Sequence, residues 1–137
     1  MQKLFLDTNI VLDFLGEREP FYYTTAQLMS LADLNQVKLA TSALSFATVS
    51  YFLTKAEGIE STKQKLRQFK ILSEVVSLTD IVIDKALNFK FKDFEDGLQY
   101  FSALDAKCHL IVSRNPKDFK TASLPVLSVA EYLKAYW

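Results

Sequence analysis

The chain has 137 residues, half of them hydrophobic, with eleven Phe and six Tyr but only three Gly and three Pro. That composition suits one domain with a packed core and excludes a disordered segment or a loop-dominated fold. Lysine plus arginine equal aspartate plus glutamate at 16 each, which excludes a strongly basic nucleic-acid binder but leaves room for a local basic stripe beside an acidic site.

The opening residues 2–6 predict a short buried strand, and residues 7–15 a helix capped by Asp7 or Thr8 and stopped near Gly16. Pro20 can start a second helix, where its missing N–H is harmless, with Phe21, Thr25, Leu28 and Ala32 on one face. Residues 37–41 predict a second strand. Ser42 then caps a third helix through Leu44, Val49, Phe52 and Leu53 that ends near Gly58. Ser61 can cap a fourth helix to about Lys70, with Leu66 and Phe69 inward and Lys63, Arg67 and Lys70 forming a basic stripe at i, i+4 and i+7. Such a stripe is also what an ordinary solvated helix face looks like.

Residues 75–78 predict a third strand and residues 80–88 a short helix, with Ile81 or Val82, Ala86 and Phe89 inward. Phe94, Leu98, Phe101 and Leu104 or Asp105 mark the next helix, and residues 110–112 a fourth strand. Residues 125–127 predict a terminal strand. Ser128 and Glu131 have capping-box spacing, with Leu127 and Tyr132 as a hydrophobic staple, for a helix to about Tyr136. Strands alternating with helices imply an α/β domain with a mainly parallel sheet.

No apolar run approaches the ~20 residues of a membrane span. Cys108 has no second cysteine to pair with, and Met1 is followed within six residues by the first acidic motif, so neither a disulfide framework nor a signal peptide is expected. A cytoplasmic setting without a membrane partner follows as an expectation. Cys108 and His109 precede an apolar strand and read as packing residues. No zinc spacing, nucleophile elbow or glycine-rich phosphate loop is present.

Three acidic segments carry the functional expectation. Asp7 follows the first strand; Asp93, Glu95 and Asp96 open a late helix; Asn115 and Asp118 follow the run Leu110-Ile111-Val112. Each has an ordinary structural role open to it. Asp7 and Asp93 suit helix caps, Glu95 and Asp96 suit a first turn, and Asn115-Pro116 marks a turn with Asp118 as a loop acid. Together they fall where one carboxyl edge of a parallel sheet can gather them. Gathered carboxylates repel one another unless a hard cation neutralises them.

Leu6-Asp7-Thr8-Asn9-Ile10-Val11-Leu12-Asp13 resembles the opening of a PIN domain. Asp93-Phe94-Glu95-Asp96-Gly97-Leu98-Gln99 is similar to that family's third acidic motif, and Ile111-Val112-Ser113-Arg114-Asn115-Pro116-Lys117-Asp118-Phe119 to its last. The resemblance spans nearly the whole chain. It implies a three-layer α/β/α domain with a parallel sheet of four or five short strands. It also implies an Mg²⁺- or Mn²⁺-dependent endoribonuclease of the small VapC-like bacterial type. Many of those are toxins of toxin–antitoxin pairs, so an RNA substrate, a cognate antitoxin and a homodimer are the implied partners. By residue, Asp7 matches the first metal carboxylate and Asp96 the third, with Asp118 or Asn115 at the last position. Asn9 and Asn115 would orient carboxylates or water, and Arg114 with Lys63, Arg67 and Lys70 would hold phosphates. The family's second position, usually Glu, carries Thr48 here, and Glu95 is the candidate to compensate. That departure also supports a second reading: a non-catalytic PIN scaffold that binds RNA or a protein partner.

Overall fold

In the computed structural model, which describes residues 1–119 and 123–137, the alternating pattern becomes one all-parallel sheet. Its strands are β1 (Lys3–Leu6), β2 (Lys38–Ser42), β3 (Ser73–Val76), β4 (Leu110–Val112) and β5 (Val126–Leu127), in the order β3-β2-β1-β4-β5. The helices are α1 (Thr8–Leu15), α2 (Tyr22–Asp33), α3 (Ala43–Glu57), α4 (Ile59–Leu72), α5 (Asp80–Leu87), α6 (Phe94–Asp105) and α7 (Val129–Tyr136), with a 3₁₀ turn at Pro116–Phe119. The α/β expectation, with a short parallel sheet, is borne out.

Period-two alternation sorts the core into two layers. Leu4, Leu6, Leu39, Leu110 and Val112 point to one side, into a cluster with residues of α1, α2, α3 and α7. Phe5, Ala40 and Ile111 point to the other, onto Tyr100 and Ala103 of α6. A strand buried on both faces reads as a continuous apolar run, which is why residues 4–6 and 110–112 are legible in the sequence. Full burial of each such Leu or Phe contributes on the order of 2 kcal/mol.

The strand order also decides where a site can form. The chain leaves β1 toward β2 on one side, and β4 pairs with β1 on the other. The loops after β1 and β4 therefore diverge at a switch point, leaving a crevice outside the carboxyl ends of the two strands.

Several local expectations are corrected. Pro20 does not start α2; Phe21 stands at its N-cap, with no side-chain cap bond. Ser61 lies inside α4 and donates to Glu57. The break between α3 and α4 is instead made by Gly58, at φ 87, a left-handed backbone that glycine adopts without Cβ strain. Phe52 is half exposed, and the inner face of α3 is Ser45, Val49 and Leu53. β3 begins two residues early because buried Ser73 pairs its hydroxyl with Thr41 on β2 at 2.9 Å. Val82 faces inward on α5 while Ile81 is exposed, and Phe89 lies beyond that helix in an aromatic cluster. Phe94 and Leu104 are exposed, so α6 buries Leu98, Gln99, Ser102 and Ala103 instead. The capping box of Ser128 and Glu131 is present on both arms.

Candidate functional site

Asp7 is the residue immediately after β1. Its backbone N–H donates to Val112 at 2.9 Å, extending the ladder by one rung, and its carboxylate caps α1. Oδ1 accepts from Thr8 N at 2.9 Å, and Oδ2 accepts from the Ser113 hydroxyl at 2.8 Å. Gln99 on α6 reaches under it. Its Nε2 lies 2.9 Å from Thr8 Oγ1, 2.9 Å from Ser45 Oγ and 3.4 Å from Asp7 Oδ1. An amide nitrogen has two hydrogens for these three acceptors, so the long contact to Asp7 is the weakest. Thr8 and Ser45 also share a hydroxyl bond of 2.7 Å. The first turns of α1 and α3 are thus tied to the second turn of α6 beneath Asp7.

Asp96 is placed by close helix packing. A Cβ on its neighbour Gly97 would meet Ala86 Cβ at 3.3 Å, so glycine is what lets α6 lie against α5 at this level. Asp93 caps α6 by accepting from Glu95 N at 2.9 Å. After β4, Ser113 Oγ accepts from Asn115 N at 3.1 Å while donating to Asp7, and Asp118 N donates to Asn115 O at 3.0 Å. The same serine therefore positions Asp7 and the start of the loop that carries Asn115 and Asp118.

These segments meet in one cleft of about 280 Å³. Asp7, Asn9, Thr48, Glu95, Asp96, Asn115 and Asp118 all line it, together with Asp93 and Phe52. Among the described residues five that line it are carboxylates, and none is basic. Burial holds the Asp96 carboxyl at about 7, with further upward pushes from Asp93, Asp7, Asp118 and Glu95. Burial also raises Asp7, against its bonds from Ser113, Thr8 and Gln99, and Asp118 adds to the rise. Glu95 is raised by burial, then by Asp93 and Asp7. The donor chemistry is that of a hard divalent cation: anionic oxygen, with no thiol or imidazole. Among the described residues no three acids, histidines or cysteines lie together as a ligand group. Mg²⁺ tolerates that arrangement, since it is often held by one or two carboxylates with water filling the remaining positions.

The candidate phosphate contacts are placed elsewhere. Arg114 turns away from the cleft: its Nε lies 3.0 Å from Oδ2 of fully buried Asp13, and its guanidinium sits 4.4 Å from the Phe21 ring centre. Lys63, Arg67 and Lys70 are exposed on α4, and Lys70 lines a groove with Lys3, Lys38 and Ser73 at the amino ends of the strands, opposite the acidic edge. Cys108 is buried, as a packing residue is, whereas His109 is exposed and accepts a hydrogen bond from Lys3 N, which corrects the packing expectation for it.

Gln99, Ser45 and Ser113 are missed by the sequence reading. The available signal for Gln99 was its position three residues after Asp96, on nearly the same helix face. Asp13 was also missed; an acid three residues after Ile10 within an apolar helix is a sign of burial with a partner.

The chain is 30% identical over 146 residues to Ribonuclease VapC1 of Aquifex aeolicus, with 98% of this chain and 96% of that protein covered. Its fold is similar to that of VapBC2 from Rickettsia felis bound to a promoter DNA fragment, with a TM-score of 0.68, 21% identity, and 93% and 98% of the two chains covered. A toxin–antitoxin complex from Klebsiella pneumoniae is similar at a TM-score of 0.68 and 18% identity, covering 92% and 97%. The family model described as PIN domain matches residues 3–117, and the chain belongs to the PIN domain family.

Proposed function

We propose that this protein is a divalent-cation-dependent endoribonuclease whose reaction centre is the acidic cleft. The observation that carries the reading is the convergence of five carboxylates from three chain segments, among which Asp96 is held at about 7 by burial first and by its acidic neighbours second. A fold does not keep such a cluster for stability, because holding like charges together is unfavourable. The similarity to Ribonuclease VapC1 supports RNA as the substrate.

Asp7 and Asp96, with Asp118 or Asn115, would hold Mg²⁺ or Mn²⁺. Such a cation supplies an acidified water at neutral pH and offsets negative charge on the phosphate under attack. Asp7 contributes rigidity, since Thr8 and Ser113 fix its oxygens. Asp96 contributes a proton-dependent charge: it must lose its proton, near pH 7, before it can serve a cation. Asn9 and Asn115 present neutral amides to orient water or carboxylate, and Thr48 offers a hydroxyl where a stronger anionic ligand would otherwise stand. Glu95 lines the same cleft and is the acid available to compensate. Lys63, Arg67 and Lys70 remain exposed and can meet phosphates of a long RNA away from the cleft.

A protein antitoxin is the proposed partner, supported by the likeness to a toxin–antitoxin complex, and a homodimer is the proposed assembly. No helix among the described residues is long and apolar enough to cross a membrane, and a cytoplasmic location is part of the proposal. The neutral Thr48 also favours a second reading, a PIN scaffold that binds RNA without cutting it. An RNA cleavage assay across a Mn²⁺ titration separates the two. Metal-dependent cleavage that is lost in Asp96→Asn supports the nuclease; binding without cleavage at any metal concentration supports the scaffold.

A further inference from the structure

A cleft lined by five acids repels the polyanion it is meant to cut. A strand can approach only if cations beside the cleft hold the phosphates on either side of the target. Arg18 and Arg114 are not available for this, since both pair with Asp13. The α4 stripe ends at the far edge of the sheet. Among the described residues, lysines border the cleft at one other place. A groove of about 410 Å³ shares Asp93, Asp96 and Asp118 with the acidic cleft and adds Lys90, Lys92, Lys117 and Phe91.

The three lysines come from two separate segments, the α5–α6 connection and the 3₁₀ turn after β4. All three are exposed. Among the described residues none of them forms an ion pair, although three carboxylates line the same groove. Phe91 is partly buried and held in place by Tyr100 and Phe119, at ring-centre distances of 5.3 and 6.1 Å. Unpaired cations alternating with a fixed aromatic ring are the pattern by which proteins hold a single strand, through phosphates on the cations and a base on the ring.

We propose that this groove is the track for single-stranded RNA. Lys90, Lys92 and Lys117 hold the backbone phosphates that flank the one in the acidic cleft, and Phe91 offers its ring to an unpaired base. The assignment rests on the nuclease reading of the cleft for the choice of RNA.

The test is binding of a labelled single-stranded RNA oligonucleotide in chelator, where the reaction is off, followed by anisotropy across a salt series. The triple variant Lys90→Gln, Lys92→Gln, Lys117→Gln should bind at least tenfold more weakly at low salt. Three lost phosphate contacts should make its plot of log affinity against log salt shallower by about 2. Phe91→Leu should weaken binding at least fivefold while leaving that slope unchanged. Melting curves matching wild type establish that the lysine variant is folded. Wild-type affinity and slope in the triple variant, or no binding by wild type at low salt, overturn the track. Cleavage in Mn²⁺ distinguishes this failure from failure of the nuclease reading. A protein that cuts equally well with and without the lysines at subsaturating RNA keeps the nuclease and loses the track. A protein that binds through the lysines but never cuts keeps the track and loses the nuclease.

Discussion

Asp13 is fully buried and Asp96 partly so, and the fold treats them oppositely. Asp13 is fully buried, and burial raises its pKa, but Arg114 at 3.0 Å and Arg18 at 3.8 Å pull it back. Its oxygens make no hydrogen bond among the described residues, so the two guanidinium charges are what offset its desolvation. Among the described residues Asp96 has no such partner, and it is surrounded by Asp93, Asp7, Asp118 and Glu95, all of the same sign. An acid that holds the fold together is given its counter-charge by the chain. The acid proposed to serve a cation is left with its charge unanswered, for that ligand to supply.

The comparison breaks first at Asp13. Asp13→Ala leaves Arg114 partly buried against Phe21 with no anion, and should cost about 3 kcal/mol of stability in denaturant unfolding. A loss below ~1 kcal/mol would mean that the pair is incidental to the fold. Metal binding at the cleft should survive if the variant still folds.

Asp96→Asn should act in the other direction. Without metal it removes a buried, like-charge conflict, so at pH 8 in chelator the variant should be more stable than wild type by ~1–2 kcal/mol, after allowance for solvent screening. It should also lose most of the rise in melting temperature that Mn²⁺ gives the wild type. The pH dependence carries the same signature. Asp96 holds its proton more tightly in the fold, at about 7, than an ordinary aspartate does, at 3.8. Its contribution to stability therefore declines as pH rises between those values and is level above them. In chelator the variant should lack that decline; equal pH slopes for the two proteins would place Asp96 outside the acidic conflict.

Thr48→Glu sharpens the point by adding a sixth acid to the cleft. It should lower stability in chelator by ~1 kcal/mol through repulsion and tighten Mn²⁺ binding measured by calorimetry. Unchanged values on both counts would mean that the side chain at position 48 does not reach the shared field. The smallest effect is expected on α4. Replacing Lys63, Arg67 and Lys70 with Gln should leave stability within ~0.5 kcal/mol and flatten the salt dependence of RNA binding less than the Lys90, Lys92 and Lys117 replacements do.

The parts of this architecture that were legible in the sequence are those determined by neighbours along the chain. Strands 4–6 and 110–112 announce themselves as apolar runs, Ser42 and Asp93 as caps, and Ser128 with Glu131 as a reciprocal pair. The three acidic motifs are visible because each sits at an element boundary. What stayed hidden depends on contacts between distant residues. Ser61 looks like a cap as much as Ser42 does, and only the backbone at Gly58 decides between them. Nothing local distinguishes Gln99, with partners 91 and 54 residues away, from a solvated glutamine. Arg114 beside the last motif resembles a phosphate ligand until Asp13, folded against it, takes its charge.

The hydroxyls of Thr8 and Ser45, joined at 2.7 Å and buried against Gln99, have a consequence for spectroscopy. Hydroxyl protons ordinarily trade with solvent too quickly to be seen. Here burial slows that exchange, and full access for water needs α1, α3 and α6 to separate at Thr8, Ser45 and Gln99, so the exchange lifetime records how often the floor of the cleft opens. A molecule that clamps the carboxylates above should lengthen that lifetime without touching either hydroxyl, which makes this pair a native reporter of occupancy that needs no label.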